Sequence, residues 1–543
     1  MRGRSLVAIL GAAAICVLAV ALAAVWLAGG QQQETAASHV VIDIPDNPAA
    51  LAAHEAQEAE IVASLPGAAG EAEEAMAPEP ALPEKLFIAD AIRLKLNDPA
   101  LRDGAHADDL AAVEAFYAGH NGPALWVAGA GLSPEAQSII GEIAKADAWG
   151  LDASAFVMPP ADFQPKVAED QATTELALSL AILKYARAAR GGRADPSAVS
   201  KVFDQKPPLR DPATVLTEIA ATATPDAYLR DLHPKHEQFV RLRQALLKAQ
   251  SGSEATKPED IKRFQANMER WRWMPEDLGA SYVWLNIPEF MIHIVKDGRT
   301  VQSEKIVVGS PGNPTPVLTA DLQSVVFNPE RVVPQSIIRK DVLPALRKGR
   351  SWLGGTDKSM LEQYQLTVKY KGKPVDASQI DWEKVNLSTL TFVQAPGPTN
   401  FLGKVQFLYP NPRGIYMHDT IVRAQLTRAV RAEGQQEPRV ANPDKLAASL
   451  LAGDKGWAKA KVDKLIADGN TVEVKIDKPI PVHTTYFTAL VDEQGQVKTF
   501  GDIYELDKID KRDDAAAVSP PVADTAPIPP RKPVNGSLAA SAP

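Results

Sequence analysis

The chain has 543 residues, 45% of them apolar and 23% charged, and carries a formal net charge of −9. That length accommodates roughly two or three globular domains, and the acidic balance speaks against nucleic acid as a partner. The one cysteine, Cys16, excludes an intramolecular disulfide and a thiolate-rich metal site, since each needs at least two thiols, and no cofactor or metal is implied.

Residues 1–30 set the compartment. Arg2 and Arg4 precede an uncharged stretch from Ser5 to Gly30, about the ~20 residues that cross a bilayer as a helix. A cleaved signal peptide has a shorter apolar core of ~7–15 residues, so the expectation is an uncleaved anchor, with secretion after cleavage as the alternative. The next lysine or arginine after Arg4 is Lys85, so the charge asymmetry keeps the N-terminus cytoplasmic and sends the rest of the chain across the membrane. Residues 31–84 hold eleven acidic residues and no lysine or arginine, a composition that reads as a disordered, self-repelling linker. The Ala/Pro/Ser-rich stretch 511–543 reads as a loose tail.

From 85 to 260 the pattern is helical. Leu176, Leu180 and Leu183 fall at i, i+4 and i+7, and Gly191-Gly192 ends that run. Similar periodicity covers 109–118, 133–148, 212–221 and 236–249, giving a helical domain closed by its own apolar faces. Asp108-Asp109 and Lys235-His236-Glu237 read as helix caps and solvated faces. His233 and His236 flank Pro234, which disfavours a zinc helix and places them in a loop or at a helix start.

A third region, 261–510, opens with a short helix over 261–270 and turns to β-rich alternation. Strands are predicted at 282–287, 290–295 and 301–308, with Asp297-Gly298 as a hairpin turn between the last two. Others follow at 324–328, 366–370, 390–394, 405–408, 415–417, 472–476 and 482–491.

This region contains a series of longer motifs: WRWMPEDLG (271–279), VVGSPGNPTPV (307–317), VFNPERVVPQSIIRKDVLPALRKG (326–349), QAPGPTNFLGKVQFLYPN (394–411), YMHDT (416–420), DKGW (454–457) and PVHTTYFTALVDEQG (481–495). Together they resemble the L,D-transpeptidase family in its large, membrane-anchored bacterial form, and FYAGHNGPALWV (116–127) extends the likeness into the helical region. The resemblance implies an α+β multidomain chain: an N-terminal membrane helix, a helical scaffold domain, and a predominantly β catalytic domain with an inserted helical lid at about 347–384, the stretch holding Trp352 and Gly354-Gly355. Family members face the periplasm and join peptidoglycan stem peptides, a cysteine thiolate attacking a donor peptide carbonyl. That chemistry needs a thiol, a histidine to take its proton, and backbone N–H groups around the oxyanion.

The resemblance maps onto this chain residue by residue. His418 matches the general base, and Asp419 would orient its ring through the backbone carbonyl. Arg439, within Arg439-Val440-Ala441-Asn442-Pro443, matches the arginine that follows the family cysteine. This register sets Gly434 at the family's serine, Gln436 at its glycine and Glu437 at its cysteine. Gln436 loses the freedom a glycine gives the oxyanion turn, and Pro438 removes a backbone donor. Asn328-Pro329 and Asn400 either line a groove or hold turns, and His418 either packs in the core or faces a ligand.

Three readings follow for a protein of cell-wall assembly anchored in the inner membrane and facing the periplasm. It is an inactive homologue that binds stem peptides or regulates active cell-wall enzymes; or an acyltransferase working through a non-standard residue such as Glu437; or a structural envelope protein. The loss of thiol and glycine together favours the first.

Overall fold

The computed structural model describes residues 84–120, 122–252, 257–348 and 359–508. The expected anchor, the linker up to residue 83, the tail, Cys16 and the lid residues Trp352, Gly354 and Gly355 lie outside these residues. Among the described residues no helix is long and apolar enough to cross a membrane.

The helical part is built from α1 (Glu84–Lys95), α2 (Ala107–Gly119), α3 (Pro134–Ile143), α4 (Ala168–Gly191), α5 (Pro212–Ala221), α6 (Pro225–Asp231) and α7 (Glu237–Gln250). Helix α4 is the central element: Leu176 and Leu183 are buried as their spacing predicts, beside Ile182 and Tyr185. It stops at Gly192, whose φ of +93° suits glycine and whose missing Cβ leaves room for Glu269. Where periodicity suggests one helix over 133–148, α3 ends at Ile143 and a 3-10 turn follows at Ala146–Trp149. Asp109 is a correction. Expected on a cap or solvated face, it is buried on α2 and pairs with Arg187 of α4.

Glu175 of α4 anchors the motif 116–127. Its carboxylate accepts from Leu125 N (2.6 Å), Trp126 N (2.8 Å) and the Tyr117 hydroxyl (2.8 Å), while the Trp126 indole donates to Ser179 (2.8 Å). A fully buried carboxylate is tolerated because its oxygens are saturated with donors.

Helix α8 (Pro258–Arg272) begins three residues before the sequence suggests and joins both halves. Toward the helical part, Glu269 accepts from Arg193 N and Ala194 N, and Arg272 donates to the carbonyls of Ala189 (3.2 Å) and Trp149 (2.7 Å). Toward the β part, Arg270 reaches Asp507 (2.8 Å) and Asn267 donates to Thr488 (2.9 Å). His233 is buried at this junction, stacked on Trp149 at 4.1 Å and bonded to the Tyr185 hydroxyl at 2.9 Å.

The β part comprises β1 (Ser281–Asn286), β2 (Met291–Lys296), β3 (Arg299–Gly309), β4 (Leu318–Phe327), β5 (Val405–Leu408), β6 (Met417–His418), β7 (Ala432–Gly434), β8 (Arg439–Val440) and β9 (Val472–Thr485). Their order is β7-β3-β8-β6-β5-β4-β9-β1-β2, and β2 also pairs with β3, so the sheet closes on itself. Closure removes the exposed edges that an open sheet would present. The β2–β3 turn uses Asp297 (φ 48°) and Gly298 (φ 75°), the left-handed pair a two-residue hairpin needs. The separate strands predicted at 472–476 and 482–491 are instead one long strand, irregular between Lys475 and Ile480 around Pro479, followed by β10 (Ala489–Val491), which pairs with β11 (Val497–Thr499). Apolar residues of β1–β5 and of α9 (Pro443–Lys455) share one core that includes Val283, Leu285, Phe327, Phe407 and Leu451.

The insertion differs from the helical lid expected at 347–384. It contains a four-stranded antiparallel sheet (Arg331–Val332, Leu390–Gln394, Leu366–Tyr370, Lys373–Pro374) beside short helices at Gln335–Ile337 and Leu343–Lys348. A core of its own around Ile338, Leu346, Trp382 and Phe392 holds it together. β-branched and aromatic residues in 366–370 and 390–394 favour strand, and each half satisfies the other's backbone groups.

Candidate functional site

The short strand β6 lies between β5 and β8, with Gln406 opposite His418 on one side and His418 beside Arg439 on the other. This pairing joins the HDT segment to the arginine motif. His418 N donates to the Pro438 carbonyl at 3.1 Å, so Pro438, which lacks a donor, still serves the sheet as an acceptor. Upstream, Ser310 N donates to the Gly434 carbonyl (3.0 Å), and the Thr315 hydroxyl donates to the Gln436 carbonyl (2.7 Å) while accepting from Gly309 N (2.9 Å). A Cβ on Gly434 would meet the Val308 carbonyl oxygen at 2.9 Å, so this position needs glycine for close approach. Gln436 does not adopt a positive φ.

His418, Gln436, Glu437 and Arg439 line one cavity of about 310 Å³, together with Arg331, Tyr416 and Phe401. Four of the five residues singled out by sequence therefore converge. Asp419 does not: its side chain turns into a neighbouring cavity of about 870 Å³ that also includes Asn328. The Asp419 carboxylate accepts from Lys404 N (2.9 Å), Thr420 N (2.7 Å) and Arg423 (2.6 Å). Gly403, at φ +66°, leaves the space it occupies.

His418 is 7% exposed, and its Nδ1 is buried without a hydrogen-bond partner. The carbonyls of Asp419 and Leu402 nonetheless lie close enough to favour the protonated ring, the direction expected of an orienting Asp419 carbonyl. Packing against Tyr416, with ring centres 5.9 Å apart, also holds the imidazole. Burial first, and then the positive charges of Arg439 and Arg331, push its pKa down to about 3. The ring is neutral across the physiological range.

Arg331 and Arg439 are half-buried, and burial lowers both guanidinium pKa values. Arg331 lies over the Phe401 ring at 4.9 Å, and Arg439 donates to Gln425 at 3.0 Å. Glu437 is partly exposed, and its charge is felt at both arginines and at Tyr409 and Tyr416. Among the described residues, none of these three charged groups makes an ion pair within 4.0 Å.

Sequence reading missed Arg331 and Tyr416 as site residues. Both stand inside quoted motifs, but only the tertiary structure brings them to His418. Asn328 and Asn400 do hold turns: Asn328 donates to the carbonyls of Leu465 (2.9 Å) and Asn470 (3.2 Å), and Asn400 to those of Pro329 (2.8 Å) and Ala395 (3.0 Å). Asn328 lines the larger cavity as well.

Comparison with known proteins places these parts. Residues 111–246 match the model of a scaffold domain, and residues 280–435 match that of the L,D-transpeptidase catalytic domain, ending just before Gln436 and Glu437. A Haemophilus influenzae protein named "Putative L,D-transpeptidase" is 29% identical over 242 residues, 45% of this chain and 47% of that protein. The chain thus matches about half the length of this curated relative. The crystal structure of Mycobacterium tuberculosis L,D-transpeptidase 1 aligns with 38% of this chain and 61% of its own at 8% identity, with a TM-score of 0.15, too low to carry weight. The chain thus carries a scaffold domain followed by an L,D-transpeptidase catalytic domain, in the order the motifs run.

Proposed function

We propose that this chain binds peptidoglycan stem peptides in the cleft around His418 without joining them, acting in cell-wall assembly as an inactive relative of the transpeptidases or as a regulator of active cell-wall enzymes. Its setting in this reading is the periplasm, with the segment 1–30 as inner-membrane anchor. One observation carries the proposal. The cleft wall beside His418 is Gln435-Gln436-Glu437, and the chain's one thiol is Cys16, in the N-terminal apolar segment. Acyl transfer of the family type has no nucleophile in this wall.

Glu437 in the cysteine's place would form an anhydride if acylated, and no left-handed turn at Gln436 builds an oxyanion pocket beside it.

The test is incubation of the protein with tetrapeptide stems and with a carbapenem, read by mass spectrometry. Neither crosslinked product nor adduct is expected, whereas calorimetry should detect binding of the stems. Crosslinking that disappears in His418→Ala would overturn the inactive reading. A companion variant, Gln436→Gly with Glu437→Cys, keeps Gly434, since a serine there would strike the Val308 carbonyl. It should gain a carbapenem adduct that the natural chain does not form.

A further inference from the structure

Residues 502–507 follow β11 and lie outside the stretch matched to the catalytic domain. They close into a turn: the Asp502 carboxylate accepts from Leu506 N (2.8 Å), Asp507 N (2.8 Å) and the Tyr486 hydroxyl (2.7 Å). Within it Glu505 holds a φ of 55°, a left-handed value uncommon outside glycine. One end of this turn meets the junction helix. Arg270 of α8, 2% exposed, donates to Asp507 (2.8 Å) and to the Leu506 carbonyl (2.6 Å), and the Thr488 hydroxyl adds another bond to Asp507 (2.9 Å). A buried guanidinium is costly without acceptors, so α8 needs the segment in place. The other end meets the turn beside the cleft wall. The Tyr504 hydroxyl donates to the Gly309 carbonyl (2.7 Å) and accepts from Thr315 N (3.2 Å). Its ring stacks on Tyr486, with centres 5.4 Å apart, and Tyr504 N donates to the Tyr486 hydroxyl (2.7 Å).

Thr315 extends the series, since its hydroxyl donates to the Gln436 carbonyl (2.7 Å). Hydrogen bonds and the short turn therefore run without a break from Arg270 through Asp507, Tyr504 and Thr315 to Gln436. Burial pushes the Tyr504 pKa up to about 12, so its hydroxyl remains a donor at neutral pH. The far side of α8 grips the helical domain through Glu269 and Arg272. Contiguous, saturated contacts of this kind are what coupling between distant parts requires. We propose that residues 502–507 are a strap that fixes the cleft wall 434–437 against the junction helix, with Tyr504 and Thr315 as positioning residues. The placement of the helical domain is thereby felt at the wall. This holds whether or not the cleft binds stem peptides.

The experiment uses the full chain without ligand and reads amide hydrogen exchange by mass spectrometry. Tyr504→Phe keeps the ring and removes only the hydroxyl. Exchange in peptides spanning 309–315 and 434–440 should rise roughly two- to ten-fold, as expected for loss of one hydrogen bond, while α4 stays as protected as before. Asp507→Asn, at the opposite end of the strap, should also raise exchange at 434–440. The double variant should match the larger single effect and fall short of the product of both, because the two changes cut one chain. Thr315→Val should reproduce the change at 434–440, and Thr315→Ser, which keeps the hydroxyl, should not. Faster exchange across the whole chain would show a loss of stability alone, and faster exchange confined to 502–507 would show that the strap positions nothing beyond itself. Either result overturns the proposal, as does a double variant whose effect is the full product. Should Asp507→Asn fail to fold, Tyr504→Phe and the two Thr315 variants still decide the matter.

Discussion

Glu175 in the helical domain and Glu437 in the β domain are both carboxylates with arginine or aromatic neighbours, and they are treated in opposite ways. Glu175 is fully buried and accepts three hydrogen bonds, from two backbone amides and a tyrosine. Glu437 is partly exposed, faces two half-buried arginines and pairs with neither. The buried Nδ1 of His418 nearby is also unpaired. Glu175 is saturated because a buried carboxylate left open costs free energy. The open groups around His418 are where a bound ligand could complete the bonding that the fold leaves unmade.

The largest effect is expected where saturation is greatest. Glu175→Ala leaves three donors without their acceptor and should cost about 3 kcal/mol or more of unfolding free energy, measured by guanidinium chloride denaturation. A loss below ~1 kcal/mol would break the contrast between the two sites. Next comes pH. An unfolded histidine takes its proton near 6.5, whereas folded His418 does so only at about 3. The unfolded state therefore binds the extra proton as pH falls below 6.5, so the stability held above that pH is lost progressively toward pH 3, by up to ~1.4 kcal/mol per unit. His418→Gln should flatten the stability profile between pH 6.5 and 4 by about one proton's slope; an unchanged slope would show that the ring already titrates in the fold.

Smaller effects sharpen the same contrast. Ser133 caps α3 by accepting from Ala136 N (3.1 Å) and donates to the Leu125 carbonyl (3.0 Å), so Ser133→Ala should cost about 1 kcal/mol in the same denaturation assay. Glu437→Gln should change stability by less than ~0.5 kcal/mol, because no intramolecular bond is lost. A large destabilisation there would mean that Glu437 serves the fold after all.

Much of this was legible in the chain itself. Strand boundaries at 366–370, 390–394 and 405–408, and the helix over 212–221, coincide with the observed elements, because alternation and helical period are local properties. Asp109 was misread because a charged residue beside another charge looks solvated, and its partner Arg187 lies on a different helix. The lid was expected to be helical although its strands at 366–370 and 390–394 were read, because the pairing that joins them into one sheet, such as 331–332 with 390–394, is a contact no short window displays.

The sequence by itself determined the kind of domains, the motif series, and that the chain's one thiol is Cys16, since each is read from residue identity, spacing and register. Tertiary structure alone decided that the sheet closes, that Asp419 turns away from His418, and that Arg331 joins Arg439 and Glu437 around one cavity. The physical reason is that burial and charge proximity depend on contacts between residues about a hundred positions apart, and those contacts exist only once the barrel has formed.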